Sequence, residues 1–277
     1  MSAGQPEVTV RFWGARGSIP VSGDRTAKFG GDTSCVEIRH AGHILLMDAG
    51  SGLRSAGETL LAEGAKQYHL FLSHWHYDHV IGLPFFRPLM LPDVKCVLWA
   101  PNLQSGPAAK IVAELMRPPF FPISPGMFKA KVDYRNFEPG DVLAPCDEVS
   151  ITTALLPHPG GAAAYRIECA GRAIVYMTDI SHKTGLMNEG ARDLASNADL
   201  LIYDCMYSDE EFASHGGYGH STWNEAVRIC ESARVARLAL FHHAPDRSDE
   251  ALFEIERQAQ AVFPPSFAAR QGMTLSL

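Results

Sequence analysis

Several absences narrow the reading of this chain. No Cys-x-x-Cys pair occurs among the six cysteines, at 35, 96, 146, 169, 205 and 230. Four of them, Cys35, Cys96, Cys169 and Cys230, sit among apolar neighbours and read as small core residues, which fits a reducing, cytoplasmic compartment. No apolar run approaches the roughly 20 residues of a membrane-spanning helix. Met1 to Glu7 lack the basic-then-apolar pattern of a signal peptide. Basic residues are in deficit, 24 Lys and Arg against 31 Asp and Glu, for a formal net charge of −7. That argues against a long electrostatic footprint on nucleic acid, though not against a small phosphate held by metal. Repeats, low-complexity tracts and long linkers are also missing. What remains, 277 residues with 46% hydrophobic content, is expected to form one domain over 1–277.

The densest chemistry lies in His74-Trp75-His76-Tyr77-Asp78-His79, directly after the strand-like apolar stretch Tyr68 to Leu72. Divalent transition metals take neutral imidazole nitrogen and carboxylate oxygen. Two His one residue apart can share one metal from an extended turn, and the Asp-His pair can reach a second. More donors are needed for two ions, and further candidates also follow predicted strands. His158 follows Ile151 to Leu156, Asp179 follows Ile174 to Met177, and His242 and His243 follow Leu238 to Phe241. Ligands on loops at the ends of rigid strands are a common way to build a metal site. His158 could instead cap a turn, and Asp179 could be a helix N-cap. Of the last pair, His242 is the favoured ligand and His243 is expected behind it or facing substrate.

Strands are predicted over Val8–Trp13, Cys35–Arg39, Ile44–Asp48, Tyr68–Leu72, Val94–Trp99, Ser150–Leu156, Ala163–Glu168, Ala173–Met177, Leu200–Tyr203 and Leu238–Phe241. Helices are predicted after Gly50-Ser51-Gly52 and over Leu103–Met116, Leu186–Ala195, Thr222–Ala233 and Asp249–Phe263. Two sheets with helices outside is the expected α/β layering. The Pro- and Phe-rich stretch Arg117 to Phe128 cannot be a regular element; a wall or lid over a pocket, or a homodimer contact, is expected of it. Asp48, after a strand and before Gly50-x-Gly52, is expected to hold a ligand imidazole by its other N–H, or else to structure its loop. Arg16 could grip a phosphate or be an ordinary surface Arg. His182 could face the pocket.

The His-x-His-x-Asp-His run resembles the metallo-β-lactamase superfamily, and more narrowly its phosphodiesterase branch, which includes ribonuclease Z, the C–P lyase phosphodiesterase and cyclic-nucleotide phosphodiesterases. The resemblance covers nearly the whole chain. It runs from Arg11-Phe12-Trp13-Gly14-Ala15-Arg16-Gly17-Ser18-Ile19-Pro20 and Gly30-Gly31-Asp32-Thr33-Ser34-Cys35 through Asp48-Ala49-Gly50-Ser51-Gly52, His158-Pro159-Gly160-Gly161, Thr178-Asp179 and Gly219-His220-Ser221-Thr222 to Phe241-His242-His243. It implies a four-layer αββα sandwich with two divalent metals at one edge, zinc first, manganese or iron as alternatives. Carried over by position, His74, His76 and His158 would hold one metal, Asp78, His79 and His242 the other, and Asp179 would bridge. The implied reaction is attack of a dimetal-activated hydroxide on a small phosphodiester, a 3′,5′-cyclic nucleotide being the leading substrate. Asp78 could also orient the attacking water.

His220 resembles a catalytic His of that branch and is expected to be the general acid, unless Gly219–Thr222 is only a capping loop. Asp204, similar to an acidic position in ribonuclease Z, is expected to orient His220 or a ligand, or else to structure its loop. Ribonuclease Z-like cleavage of RNA is an alternative, as is hydrolysis of lactams or thioesters, which leaves the Gly-His-Ser-Thr element without a task. A diiron redox protein resembles a His-x-Glu-x-Asp pattern, and His76 stands where that Glu would be. A nucleotide-binding sensor without catalysis would leave His220 unexplained.

Overall fold

A computed structural model describes residues 8–103, 106–215 and 218–277, the side chain of His215 excepted. The expectation for Met1 to Glu7 therefore lies outside the described residues, as do positions 104 and 105 of the helix predicted from Leu103. In chain order the elements are β1 (Thr9–Gly14), β2 (Cys35–His40), β3 (His43–Met47), α1 (Gly52–Ala62), β4 (Gln67–Phe71), α2 (Tyr77–Val80), β5 (Lys95–Pro101), α3 (Ala108–Leu115) and β6 (Lys131–Phe137). The second half adds β7 (Val142–Leu143), β8 (Val149–Leu156), β9 (Ala162–Cys169), β10 (Arg172–Met177), α4 (Glu189–Leu194), β11 (Leu200–Asp204), α5 (Asp209–His215), α6 (Trp223–Ala233), β12 (Leu238–Phe241), α7 (Asp249–Val262), β13 (Ser266–Ala268) and β14 (Thr274–Ser276).

These elements form the αββα sandwich. One seven-stranded sheet has the order β14-β1-β2-β3-β4-β5-β6, the other β13-β12-β11-β10-β9-β8-β7. Alternate side chains of each strand face the other sheet. Phe12, Phe71, Tyr165, Tyr176 and Phe241 fill that inner layer. The outer face of the first sheet packs Leu46, Leu70 and Leu98 against Leu53, Ala56 and Leu60 of α1 and Val112 of α3. The outer face of the second packs Val175, Leu201 and Leu240 against Ala226 and Cys230 of α6 and Leu252 of α7.

Strand direction places the site. β3, β4 and β5 are mutually parallel, as are β10, β11 and β12. β8 and β10 both run antiparallel to β9, so they share a direction. The loops after β3, β4, β8, β10, β11 and β12 therefore emerge along one edge of the sandwich.

The predicted strands all form, within a residue or two at their ends, and the hairpin turns at Ala41-Gly42 as expected. The helix predicted over Leu186–Ala195 shortens to α4, capped by the Asn188 side chain accepting from Ala191 N. β6, β7, β13, β14, α2 and α5 have no counterpart among the predicted elements. The Arg117–Phe128 stretch has no element beyond a single 3-10 turn at Pro125–Met127. Phe121, Ile123 and Phe128 pack on the outer layer of the first sheet while Phe120 is exposed. Among the described residues no helix is long and apolar enough to cross a membrane.

Candidate metal centre

All seven candidate ligands converge at that edge. His74 and His76 leave β4 in an extended loop, and α2 then turns Asp78 and His79 inward. His158 follows β8, Asp179 follows β10, and His242 follows β12. Asp48, Asp179 and His242 have φ of 62°, 55° and 58°. This left-handed backbone is costly for residues with a Cβ and tends to be kept where function requires it. Here it turns each chain abruptly off its strand so that the side chain points back across the edge.

Three sets of potential donors overlap here: Asp179, Asp204, His220 and His242 form one, and two further groups meet at Asp179. His74, His76, His158 and Asp179 form one, with potential ligand atoms within 4.8 Å of one another. His158 Nε2 lies 3.1 Å from His76 Nδ1, and the Asp179 Oδ1 atom lies 3.8 Å from His74 Nε2 and 3.7 Å from His158 Nε2. Asp78, His79 and His242 form the other. There the Asp179 Oδ2 atom lies 3.1 Å from His79 Nε2 and 3.2 Å from His242 Nε2. Asp78 Oδ2 lies 3.3 Å from His79 Nε2 and 3.2 Å from His242 Nε2. The two oxygens of Asp179 thus face different groups, the arrangement open to a bridging carboxylate.

The polypeptide alone does not satisfy this cluster. His74 Nε2 and His79 Nε2 are buried without a hydrogen-bond partner. An unpaired buried polar atom costs about 1–3 kcal/mol. Burial pushes the pKa values of His74, His76 and His158 down, so these imidazoles are neutral, the form that binds metal. Burial also opposes the charged forms of His79 and His242, but Asp179 and Asp78 outweigh it, and His242 is raised to about 9. For Asp78 burial raises the pKa, yet His79 and His242 outweigh it and hold the carboxyl well below its usual range. Buried carboxylates, neutral imidazoles and unpartnered nitrogens aimed at common points fit divalent cations.

A surrounding layer fixes the ring orientations. Asp48 accepts from Ser73 N at 2.7 Å, Ser73 Oγ at 2.8 Å and Tyr176 OH at 2.7 Å, and its Oδ2 is 2.8 Å from His79 Nδ1. It therefore occupies the place expected of it behind a candidate ligand. Gly219 O accepts from His158 Nδ1 at 2.8 Å, and Ser18 N donates to Asp78 Oδ2 at 2.7 Å. Ser73, Tyr176 and Ser18 escaped the sequence reading, because nothing local marks a Tyr on β10 as the partner of a carboxylate 128 residues away.

Asp204 is fully buried at the end of β11, and its Oδ2 lies 2.8 Å from His220 Nδ1. Backbone N–H groups of Asp179 and Met206 donate to the same carboxylate at 3.1 Å each. His220, stacked over His242 at 5.0 Å, borders an open cavity of about 500 Å³ together with Ser18, Trp75, His76, Tyr77, Asp78 and Asp179. With Nδ1 engaged, Nε2 is the nitrogen of His220 available to a ligand.

Four sequence expectations change. Arg16 neither grips a ligand nor lies on the surface. It is 1% exposed and donates to the carbonyls of Gly30, Ala244 and Arg247, so it ties two loops together. His243 turns away from the cluster: its Nε2 donates to Ala269 O at 2.9 Å and its ring meets Phe29 edge-on. The opposite turns of successive residues at a strand end separate it from His242. His182 lines a different cavity, with Nδ1 at 2.8 Å from Ser221 Oγ and its ring stacked on Phe212. The Arg117–Phe128 stretch does not line the 500 Å³ cavity.

Known proteins resemble this chain in sequence and fold. The chain is 24% identical over 319 aligned positions to ribonuclease Z of Gemmatimonas aurantiaca, covering 97% of this chain and 95% of that one. Its fold is similar to the metallo-beta-lactamase fold protein YhfI from Bacillus subtilis, with a TM-score of 0.76, 21% identity and coverage of 98% of this chain and all of that one. A diphosphatase from the PhnP family follows with a TM-score of 0.73, 20% identity and 98% coverage of both chains. A family model described as the beta-lactamase superfamily domain matches residues 43–243, which span every candidate ligand, and the chain accordingly belongs to the beta-lactamase superfamily, as a metallo-hydrolase of that fold.

Proposed function

We propose that the chain is a metal-dependent phosphodiesterase acting on a small phosphodiester, a 3′,5′-cyclic nucleotide being the leading substrate. The observation that carries this is the Asp204–His220 pair set beside the ligand cluster, on the same cavity. In phosphodiester hydrolysis that pair has the task of protonating the departing alkoxide. His74, His76 and His158 on one side and Asp78, His79 and His242 on the other, with Asp179 between, would hold two divalent ions, zinc first and manganese or iron as alternatives. Such ions, when bound, acidify a water at neutral pH and neutralise charge on a phosphodiester.

The chain's own groups supply the rest. Asp204 holds the His220 ring through Nδ1 and keeps Nε2 toward the cavity, where it donates a proton to the departing alkoxide. Ser18 N steadies the Asp78 carboxylate, which is also placed to orient water. The cavity has the size of a small-ligand site, and among the described residues its lining includes no Lys or Arg. Phosphate recognition is thereby left to the metals, which favours a compact substrate over a long polyanion. All seven ligands come from one chain, and the inter-sheet core supports reading 1–277 as one domain.

RNA cleavage is the second reading, favoured by the near-complete alignment to a ribonuclease Z. The deciding experiment assays metal-loaded protein with bis(p-nitrophenyl) phosphate, cyclic AMP, a labelled structured RNA and a lactam reporter, each with zinc or manganese. The proposal expects both small phosphodiesters to be cleaved and a chelator to abolish it. Cleavage of RNA without cyclic AMP would move the answer to the endonuclease, and cleavage of the lactam alone would discard phosphodiester chemistry.

A further inference from the structure

We propose that a second cavity, between α5, α6 and the loop after Asp179, binds a small organic cation: an amidinium or ammonium on a compact apolar body. The cavity has a volume of about 460 Å³ and shares no lining residue with the 500 Å³ cavity at the metal cluster. Its floor is a set of charges that do not balance. Arg228 donates from Nε to Glu225 Oε2 at 2.8 Å, and from its two terminal nitrogens to Asp209 at 2.8 and 3.1 Å. The Thr222 hydroxyl donates to the same Asp209 at 2.8 Å. The guanidinium is thus held by two carboxylates through three of its five N–H groups, and one negative charge is left over.

One oxygen of these two carboxylates has no hydrogen-bond partner. Glu225 Oε1 is buried without a partner, on a side chain only 4% exposed. Thr222-x-x-Glu225 has the sequence of a capping box, in which the Glu side chain turns back to the start of its helix. Only half of that box forms: Thr222 Oγ1 accepts from Glu225 N at 3.0 Å, while Glu225 Oε2 accepts from Arg228 and the side chain lines the cavity. His182, held neutral by burial, adds no charge to offset it. The walls are apolar, from Met187 and Phe212, and Phe212 stacks on the His182 ring at 4.2 Å and 14°. An orphaned carboxylate oxygen beneath flat and apolar walls suits a planar or alkyl cation. An anion would meet an Arg already paired with two carboxylates and a net excess of negative charge.

The test uses calorimetric titration of the full chain with benzamidine, with neutral benzamide as control. Benzamidine is expected to bind one per chain and benzamide at least 10-fold more weakly. Glu225→Gln, which keeps the shape and removes the charge, should weaken benzamidine at least 10-fold. Met187→Trp, which fills the apolar wall, should abolish binding without touching the charges, and stands in should Glu225→Gln fold poorly. Asp78→Asn should leave binding unchanged, which separates this cavity from the acids of the metal cluster. Absence of binding, equal affinity for benzamide, indifference to both cavity variants, or loss with Asp78→Asn would each overturn the proposal. None of these readouts depends on the hydrolytic reaction.

Discussion

Individual side chains at the site divide into those that would meet metal and those that hold them. Asp48 belongs to the second kind, with four partners on one carboxylate. Asp48→Ala is expected to weaken metal binding about 10- to 100-fold, read by chelator competition. His220→Ala is expected to lower turnover of bis(p-nitrophenyl) phosphate by about 10²- to 10⁴-fold with metal content unchanged; a loss of metal would instead make His220 a ligand. Glycine matters at two positions. A Cβ on Gly17 would lie 2.5 Å from the His242 ring, and one on Gly219 would lie 2.6 Å from the His158 ring, where φ is also +94°. Gly219→Ala should therefore displace His158 and reduce bound metal, measured by elemental analysis of the purified variant.

Elements carry their own dependences. β4 and β5 are tied by Trp99 Nε1 donating to His69 Nδ1 at 3.4 Å, which requires His69 to be neutral at that nitrogen. Burial, then His43 and Arg135, lower the His69 pKa. A His with a folded pKa below its unfolded value contributes stability that is full above the unfolded pKa of about 6.5 and is lost as pH falls through that value toward the folded one. Urea midpoints of the wild type should thus drop between pH 7 and pH 5 by more than those of His69→Gln. Ser248 caps α7 by accepting from Ala251 N, and the adjacent Asp249 accepts from Lys28 N and Phe29 N. Ser248→Ala is expected to cost about 1 kcal/mol in the same titration. The elements absent from the sequence reading are short or lie at edges. β13 and β14 have three residues each, and β6 is an edge strand whose outward positions are charged or polar. Such strands are defined by their partners rather than by a hydrophobic pattern of their own.

At the scale of the molecule the site joins the two halves. β4 and α2 of the first sheet supply four candidate ligands, and β8, β10 and β12 of the second supply three. A cation bound there would link both sheets and favour the folded chain, which gathers these donors at one point. Zinc at 100 times its dissociation constant should add about 2.7 kcal/mol, seen as a rise in melting temperature that a chelator reverses and that His79→Ala lacks.

The sequence by itself determined the candidate ligands and the strands that carry them, because each candidate follows an apolar run whose end must leave the core. His74, His76, Asp78 and His79 were legible as neighbours, and His158, Asp179 and His242 by their places after strands. The tertiary structure decided everything that depends on what meets whom across the edge. Arg16 is a buried tie because carbonyls 228 and 231 residues away surround it, and His243 is turned aside by Ala269. Tyr176 reaches Asp48 only because the two sheets stack. Local pattern records whether a residue faces inward, but the identity of its partner is fixed by the packing of distant strands.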